Sequence, residues 1–389
     1  MTIVFVSNCF NHHERFLCDE LYKHDDVEFY FIQTIPLSEE RRKLGWSIDL
    51  KEFPYCLCSY EDKQKCEDLI NNCDVLIIGS APFETYKKRI KENKLSFYYC
   101  ESFFKQGFWH ILNPKTFITV LRSYIIPSRN KNVNMLCASA FTALDCARIF
   151  SFKDRCFRWG HFIDVDLERN PEQLMKQKKK CRNLRCVVKI LWVGRLLRLK
   201  HPEMAILVAN KLKKSSIPFE MEIIGTGPLE GEIRSMISNL ELSNSVSMSG
   251  TMSPTEVRQR MDIFLFTSDH NEGWGAVLGE AMSSGCAVVA GSAIGATPFL
   301  VQHNVNGCIY HSIDYKQFEE LVLSLIINDS LRENIGLNAI KTMQEEWSPL
   351  IAADRFYMTA KNLIEGQMNL SYENGPMSKA TLITRRWFK

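Results

Sequence analysis

Mostly apolar runs of strand length alternate with amphipathic stretches along the chain. Between two such runs, apolar side chains recur at helical spacing, as at Phe16, Leu17 and Leu21. Buried strands that alternate with helices are typical of a parallel sheet covered on both faces. The pattern therefore predicts an α/β protein with doubly wound parallel sheets. The strand candidates are residues 2–7, 27–32, 74–80, 95–100, 134–138 and 155–164 in the first half, and 187–193, 220–224, 246–252, 262–267 and 286–290 in the second.

A polar, lysine-rich stretch separates these two halves. Residues 170–183 contain Lys176, Lys178, Lys179 and Lys180 and few apolar side chains. This composition is typical of a linker. We therefore expect an N-terminal domain over residues 1–168, a linker over residues 169–185 and a C-terminal domain over residues 186–348.

The stretch from His270 to Gly285 carries the clearest chemical signal. It reads as a glycine-rich loop after a strand, followed by a helix that begins near Gly275. Such a loop lies at the carboxyl end of a parallel strand, where open sheets bind ligands, and the helix N-terminus favours phosphate. The carboxylates of Glu272 and Glu280 would repel phosphate, but they can accept hydrogen bonds from a hexose and a ribose. A phosphate group between two sugars describes a sugar nucleotide.

Glu272 and Glu280, together with Gly273, Gly275 and the run that ends at Gly285, resemble the E-x7-E signature of retaining family-4 glycosyltransferases. The resemblance implies a GT-B fold, in which two Rossmann-like domains face a cleft. It also implies that a final helix, residues 349–366, crosses back to the N-terminal domain with the tail. Retention of anomeric configuration, a nucleotide-sugar co-substrate and no metal or other cofactor are further implications. The alternative is a helix with one solvated carboxylate and one that complements its dipole.

Other segments of the second half agree with this family. Gly194, Arg195 and Lys200 resemble its G-R-L-x-x-x-K segment, whose fixed cations offset the charge of a leaving diphosphate. Either cation alone is equally typical of a solvated surface after a strand. The resemblance assigns catalysis to Glu272, Arg195 and Lys200. It assigns donor binding to Gly194, Gly225, Gly227, Thr251, Glu272, Gly273, Trp274, Gly275, Ala276, Val277 and Glu280.

The first half departs from the family pattern. The loop after the first strand is usually glycine-rich, but here it holds Asn11, His12 and His13. These residues would contact the acceptor, or Asn11 or His12 would simply cap the next helix. The family often has a His after a strand in the middle of the domain, and Glu101 is the side chain that matches this place. We therefore assign Asn11, His12, His13 and Glu101 to the acceptor side.

Aromatic side chains are frequent in the first half, and most of them are expected in the core. Some could line an apolar groove that, with Lys105 and Lys115, suits a lipid-linked diphosphate. The tail from Thr384 to Lys389 is basic and aromatic, which fits either a membrane interface or a strap on the N-terminal domain.

Composition limits the remaining possibilities. A net charge of +3 over 389 residues gives no indication of nucleic-acid binding. Fourteen cysteines, with no signal peptide and no apolar run of about 18 residues, indicate a cytoplasmic protein that could contact the membrane peripherally. The expected partners are a UDP- or GDP-sugar and a glycan or lipid-linked acceptor. The alternative to a sugar transferase is a non-catalytic regulator that binds a nucleotide sugar or a glycan. An oxidoreductase is disfavoured because no G-x-G-x-x-G follows the first strand.

Overall fold

The chain folds as two compact units in the computed structural model. The first comprises residues 1–163 and 347–384, and the second residues 164–346 and 385–389. The structure describes residues 1–37, 48–185, 187–250, 260–312, 314–367 and 371–388. In these ranges, no helix is long and apolar enough to cross a bilayer.

The first unit contains a seven-stranded parallel sheet with the strand order β3-β2-β1-β4-β5-β6-β7. Its strands are β1 (Thr2–Ser7), β2 (Glu28–Gln33), β3 (Cys56–Cys58), β4 (Val75–Ile78), β5 (Ser96–Cys100), β6 (Val133–Cys137) and β7 (Cys156–Arg158). The helices of this unit are α1 (His12–Lys23), α2 (Lys63–Asn72), α3 (Phe83–Lys91), α4 (Pro114–Val120), α5 (Thr142–Arg148) and, from near the end of the chain, a helix over Pro349–Ile364. A 3₁₀ turn (Phe108–Leu112) precedes α4, and a π turn (Leu121–Ile125) and a short helical turn (Ile126–Ser128) follow it.

The second unit contains a six-stranded parallel sheet with the strand order β10-β9-β8-β11-β12-β13. Its strands are β8 (Val188–Val193), β9 (Phe219–Ile224), β10 (Val246–Ser249), β11 (Ile263–Phe266), β12 (Ala287–Gly291) and β13 (Cys308–Tyr310). Its helices are α6 (Pro171–Arg185), α7 (Pro202–Lys214), α8 (Glu230–Asn239), α9 (Val277–Ser283), α10 (Thr297–Leu300), α11 (Tyr315–Ile327) and α12 (Asp329–Glu345); the helix over Pro349–Ile364 is α13.

Both sheets reverse their strand order beside the first strand of the unit. The reversal lies between β1 and β4 in the first unit and between β8 and β11 in the second. At such a switch point the loops after two neighbouring strands separate and leave a crevice at the carboxyl edge. The fold therefore places the segments after Val193 and after Phe266 at the ligand-binding edge of the second sheet.

Two local expectations differ from the structure. The stretch 169–185, expected as a linker, consists mainly of helix α6 and belongs to the second unit. This helix is held because Lys178 is buried and donates to the carbonyl oxygens of Ser284 and Gly285 at 2.8 and 2.9 Å. The strand expected over residues 155–164 is limited to β7.

Candidate functional site

The loop after β8 meets the loop after β9 through backbone contacts. Gly225 has φ +145°, and a Cβ atom placed there would lie 1.9 Å from the carbonyl oxygen of Gly194. The amide of Gly194 also donates to the carbonyl oxygen of Ile224 at 3.0 Å. Only a residue without a side chain permits this approach, because L residues rarely adopt that φ and the clash would be with backbone. The glycine pattern therefore serves to bring two ligand-edge loops into contact.

Lys200 and Glu272 form an ion pair at the same edge. The Glu272 carboxylate also accepts from the Ser268 hydroxyl at 2.9 Å. The segment of Lys200 is fixed by backbone bonds, since its carbonyl oxygen accepts from Thr267 Oγ1 at 2.6 Å and the Asp269 amide donates to Leu199 at 2.9 Å. Both charged side chains are largely buried, with 19% and 13% of their surface exposed. The structure thus joins two predicted catalytic residues that are 72 positions apart in sequence.

The loop that carries Glu272 is supported from a third side by the segment after β12. The amides of Gly295 and Ala296 donate to the carbonyl oxygens of Glu272 and Trp274 at 3.4 and 3.2 Å. Gly275, with φ +90°, packs so closely on Phe266 that a Cβ atom would lie 2.3 Å from its ring. These contacts define the path of the backbone from Glu272 to the start of α9.

The other predicted donor residues have different surroundings. Helix α9 begins at Val277 directly after Ala276, and Glu280 lies half-buried within it. Gly273 is buried in the loop, whereas Arg195 is exposed after β8. Gly227 has φ +158° and lies against the backbone of Leu196. Thr251 lies outside the described residues.

A second cluster of polar side chains lies at the carboxyl edge of the first sheet. His161, just after β7, contacts Glu101 through Nε2 at 3.2 Å and the Tyr99 hydroxyl through Nδ1 at 2.6 Å. Lys105 forms an ion pair with Glu101, and the His13 ring lies 5.5 Å from that of His161. Glu101, Lys105 and His161 line a cavity of about 430 Å³ together with the hydroxyl-bearing Ser80, Ser123 and Tyr124.

Of the two roles expected for Asn11, the structure shows the helix cap. Its side chain caps α1 by accepting from the His13 amide at 2.9 Å, and its amide group donates to the buried Glu14 at 2.9 Å. The cap fixes the first turn of the helix and so the direction of His13. Neither His161 nor Tyr99 is among the acceptor-side residues predicted from the sequence. The signal for His161 was its place after the last strand of a parallel sheet, where its neighbours depend on the strand order.

The electrostatics of this cluster favour hydrogen bonding over proton transfer. Burial and the charges of His12 and His161 lower the pKa of His13 to about 3, and partial burial and His161 lower that of His12. Burial raises the pKa of Glu101, but the hydrogen bond from His161 and the charge of Lys105 outweigh it and lower the pKa to about 2. A general base for neutral pH needs a pKa near 7. A neutral His13 and an ionised Glu101 instead suit the binding of sugar hydroxyls.

Acid is expected to destabilise the first unit through these histidines. Their folded-state pKa values lie below the ordinary value of 6.5, so the unfolded chain binds protons more readily. Their contribution to stability is complete above about pH 6.5 and is lost as the pH falls. For His13 the loss should reach about 2 kcal/mol at pH 5. Denaturant titrations of the wild type and His13→Gln at pH 7.5 and 5 measure it; equal pH dependence in the two proteins would contradict the assignment.

Two Rossmann-like units with ligand-edge loops at the switch points define a GT-B fold, and comparison with solved structures confirms this prediction. HepE of Anabaena, solved with UDP, is 16% identical, covers 93% of this chain and all of its own, and superposes with a TM-score of 0.69. A Rickettsia africae glycosyltransferase is 17% identical, covers 94% of this chain and 99% of its own, and gives a TM-score of 0.68.

The family match lies in the second unit. Residues 176–342 match the model described as glycosyl transferases group 1, and this match covers most of the second unit. The amylovoran biosynthesis glycosyltransferase AmsK of Erwinia amylovora is 30% identical over 173 residues, which is 42% of each chain. A poly(ribitol-phosphate) α-N-acetylglucosaminyltransferase of Staphylococcus aureus is 24% identical over 226 residues, 58% of this chain and 43% of its own. The matched part thus spans less than half the length of these relatives.

Proposed function

We propose that the protein transfers a sugar from a nucleotide sugar to an acceptor hydroxyl with retention of anomeric configuration. The observation that carries the proposal is the Lys200–Glu272 pair on switch-point loops of the unit that matches the group 1 glycosyl transferases. In the reaction, the bond from the anomeric carbon to the diphosphate breaks and a bond to the acceptor oxygen forms. The proton of the acceptor hydroxyl leaves with the nucleoside diphosphate or to water.

The cationic and anionic side chains have different proposed roles. Lys200 and Arg195 offset the negative charge that develops on the leaving diphosphate, as do the amides from Gly273 to Val277. Glu272 accepts hydrogen bonds from the donor sugar, and its pairing with Lys200 keeps both groups oriented before substrate arrives. Glu280 accepts from the ribose hydroxyls. We propose that these side chains act by their own charges and hydrogen bonds and that the reaction uses no metal.

The donor is proposed to be a UDP-sugar, with a GDP-sugar as the alternative, and the acceptor a glycan or a lipid-linked saccharide. UDP is bound in the solved HepE structure, and relatives are named for amylovoran biosynthesis, for colanic acid biosynthesis and for N-acetylglucosaminyl transfer to poly(ribitol-phosphate). The cavity beside Glu101, His161 and Lys105 provides both signs of charge and several hydroxyls for an acceptor saccharide. His13 lies beside this cavity through its contact with His161, whose ring is 5.5 Å away.

Thermal unfolding in the presence of UDP-, GDP-, ADP- and CMP-sugars tests the donor assignment. A ligand at 100 times its dissociation constant stabilises a protein by about 2.7 kcal/mol. We expect a shift of the melting temperature with UDP-sugars that Glu280→Ala abolishes. The shift should be retained in Glu320→Ala, which removes an exposed carboxylate on α11. No shift with any sugar nucleotide in a folded preparation would contradict the proposal.

The acceptor-side unit is further proposed to contact an anionic membrane through residues 108–126. Six of the nineteen large hydrophobic side chains exposed in the described part of the chain lie within this stretch. They are Phe108, Trp109, Leu112, Phe117, Ile118 and Ile126. No acidic residue occurs between Glu101 and Asp145, whereas five Lys or Arg do. Exposed aromatic and aliphatic groups among cations are typical of interfacial segments.

Vesicle sedimentation measures this contact. We expect the protein to bind phosphatidylcholine vesicles that contain phosphatidylglycerol, and this binding should weaken as salt is added. In the double variant Trp109→Ser/Leu112→Ser, binding should fall several-fold. Ile327→Ser, which removes an equally exposed apolar group from the second unit, should bind as the wild type does. Loss of binding only on deletion of residues 380–389 would assign the contact to the tail instead.

A further inference from the structure

The last residues of the chain lie on the loops of the proposed donor site. Residues 385–389 belong to the second unit, although the tail before them belongs to the first. A guanidinium nitrogen of Arg385 donates to the carbonyl oxygen of His270 at 3.1 Å. The indole N–H of Trp387 donates to the carbonyl oxygen of Ser292 at 2.8 Å. His270 stands two positions before Glu272, and Ser292 begins the segment after β12.

The tail contacts the loop that carries Glu272 and the segment after β12 that supports this loop. The segment after β12 is joined to the Glu272 loop by the amides of Gly295 and Ala296. Ser292 itself is buried; its amide donates to the carbonyl oxygen of Tyr310 at 2.9 Å, so this segment is anchored on the sheet. The tail therefore connects the Glu272 loop, at His270, to a segment that is anchored on the sheet.

An aromatic contact holds the tail at this position. The Phe388 ring lies 5.1 Å from the ring of His303 and 5.3 Å from that of His311, and it contacts Trp387 at 5.7 Å. Trp387 and Phe388 are both partly buried. The hydrogen bonds from Arg385 and Trp387 go to the main-chain carbonyl oxygens of His270 and Ser292, so they restrain the loop backbone whatever side chain the loop presents.

We propose that Arg385 and Trp387 are positioning residues, which set the Glu272 loop for the donor sugar. The inference rests on the proposed function, since it assigns the tail a part in donor binding. The residues touch loop backbone and act through Glu272. Pre-ordering of the loop lowers the entropy lost on binding, so the effect should appear in the affinity for the donor more than in the chemical step.

Steady-state kinetics of Trp387→Ala and Arg385→Ala test this role. Loss of one such hydrogen bond and its packing should raise KM for the donor about five- to tenfold with little change in kcat. Trp387→Phe, which keeps a ring but removes the N–H, separates hydrogen bonding from packing, and Arg385→Lys should restore part of the effect. Leu382→Ala, an exposed tail residue of the first unit, is the matched control and should behave as the wild type.

Amide hydrogen exchange gives a readout that needs no substrate. In Trp387→Ala, the amides of Glu272, Gly295 and Ala296 should exchange faster, while those of β8 should not change. If these amides exchange faster in Trp387→Ala but the wild type turns over no donor, the contact between tail and loop is supported and the proposed function is contradicted. Unchanged exchange and unchanged KM would overturn the positioning role. Faster turnover or a lower KM in the variants would overturn it too, because the tail would then be inhibitory.

Discussion

Replacement of Lys200 by Met is expected to lower kcat by roughly 10²–10³-fold, the usual effect of removing one fixed electrostatic stabiliser of a transition state. Lys200 is the buried cation of the ligand edge, and it lies against the carboxylate proposed to hold the donor sugar. Burial strengthens its effect on a leaving diphosphate because water screens it less. Single-turnover rates with a saturating donor measure the change.

Two comparison variants separate this effect from loss of structure. Met keeps the length of the side chain but removes the ion-pair partner of Glu272, so some loss of stability is expected as well. Lys200→Arg retains the charge and should recover most of the rate. Arg198→Met removes a cation two positions away and should have little effect. A Lys200→Met enzyme that is folded and retains wild-type turnover would contradict the assigned role.

Gly225→Ala is expected to destabilise the second unit by roughly 3–5 kcal/mol and to abolish donor binding. The new Cβ would lie 1.9 Å from a backbone oxygen at a φ of +145°, so both the position and the conformation are unfavourable. A rotamer change cannot relieve the clash, because the opposing atom belongs to Gly194. We expect the loops after β8 and β9 to move apart to accommodate the new Cβ atom. Calorimetry and UDP titration measure the two consequences.

Gly231→Ala is the matched control in the same unit. Gly231 lies in the first turn of α8, and nothing lies within 4 Å of a Cβ atom placed there. Ala in a helix is favoured over Gly, so this variant should be unchanged or up to about 1 kcal/mol more stable. Equal stability of Gly225→Ala and Gly231→Ala would show that the backbone contact with Gly194 is not required.

The sheets could be predicted because strands that are buried on both faces consist mostly of consecutive apolar residues. Strands β4, β11 and β12 are continuous apolar runs, and every residue of the three strands is buried. Helix α6 has no comparable apolar pattern, since its buried residues include lysine and arginine. Their charges are satisfied by carbonyl oxygens and by Asp262, which lies 80 positions from Arg182 in sequence. Only the tertiary structure shows such partners.

The candidate site was predictable to different extents in the two units. In the second, glycines and charged residues follow strands at family spacing, so each loop could be assigned by itself. The pairing of Lys200 with Glu272 could not, because it depends on β8 and β11 being neighbours. In the first unit, Glu101 and His13 were singled out, but His161 was missed. Its contacts with them require the order β5-β6-β7 and the direction of the chain after β7.

A crystal structure with bound UDP would show directly whether the loops after β8 and β11 form the donor site. We expect the diphosphate at these loops, with an oxygen within hydrogen-bond distance of Lys200 Nζ. We also expect ribose hydroxyls that donate to the Glu280 carboxylate at about 2.6–2.9 Å. UDP bound elsewhere on the second unit, or with the ribose turned away from Glu280, would contradict the donor site described here.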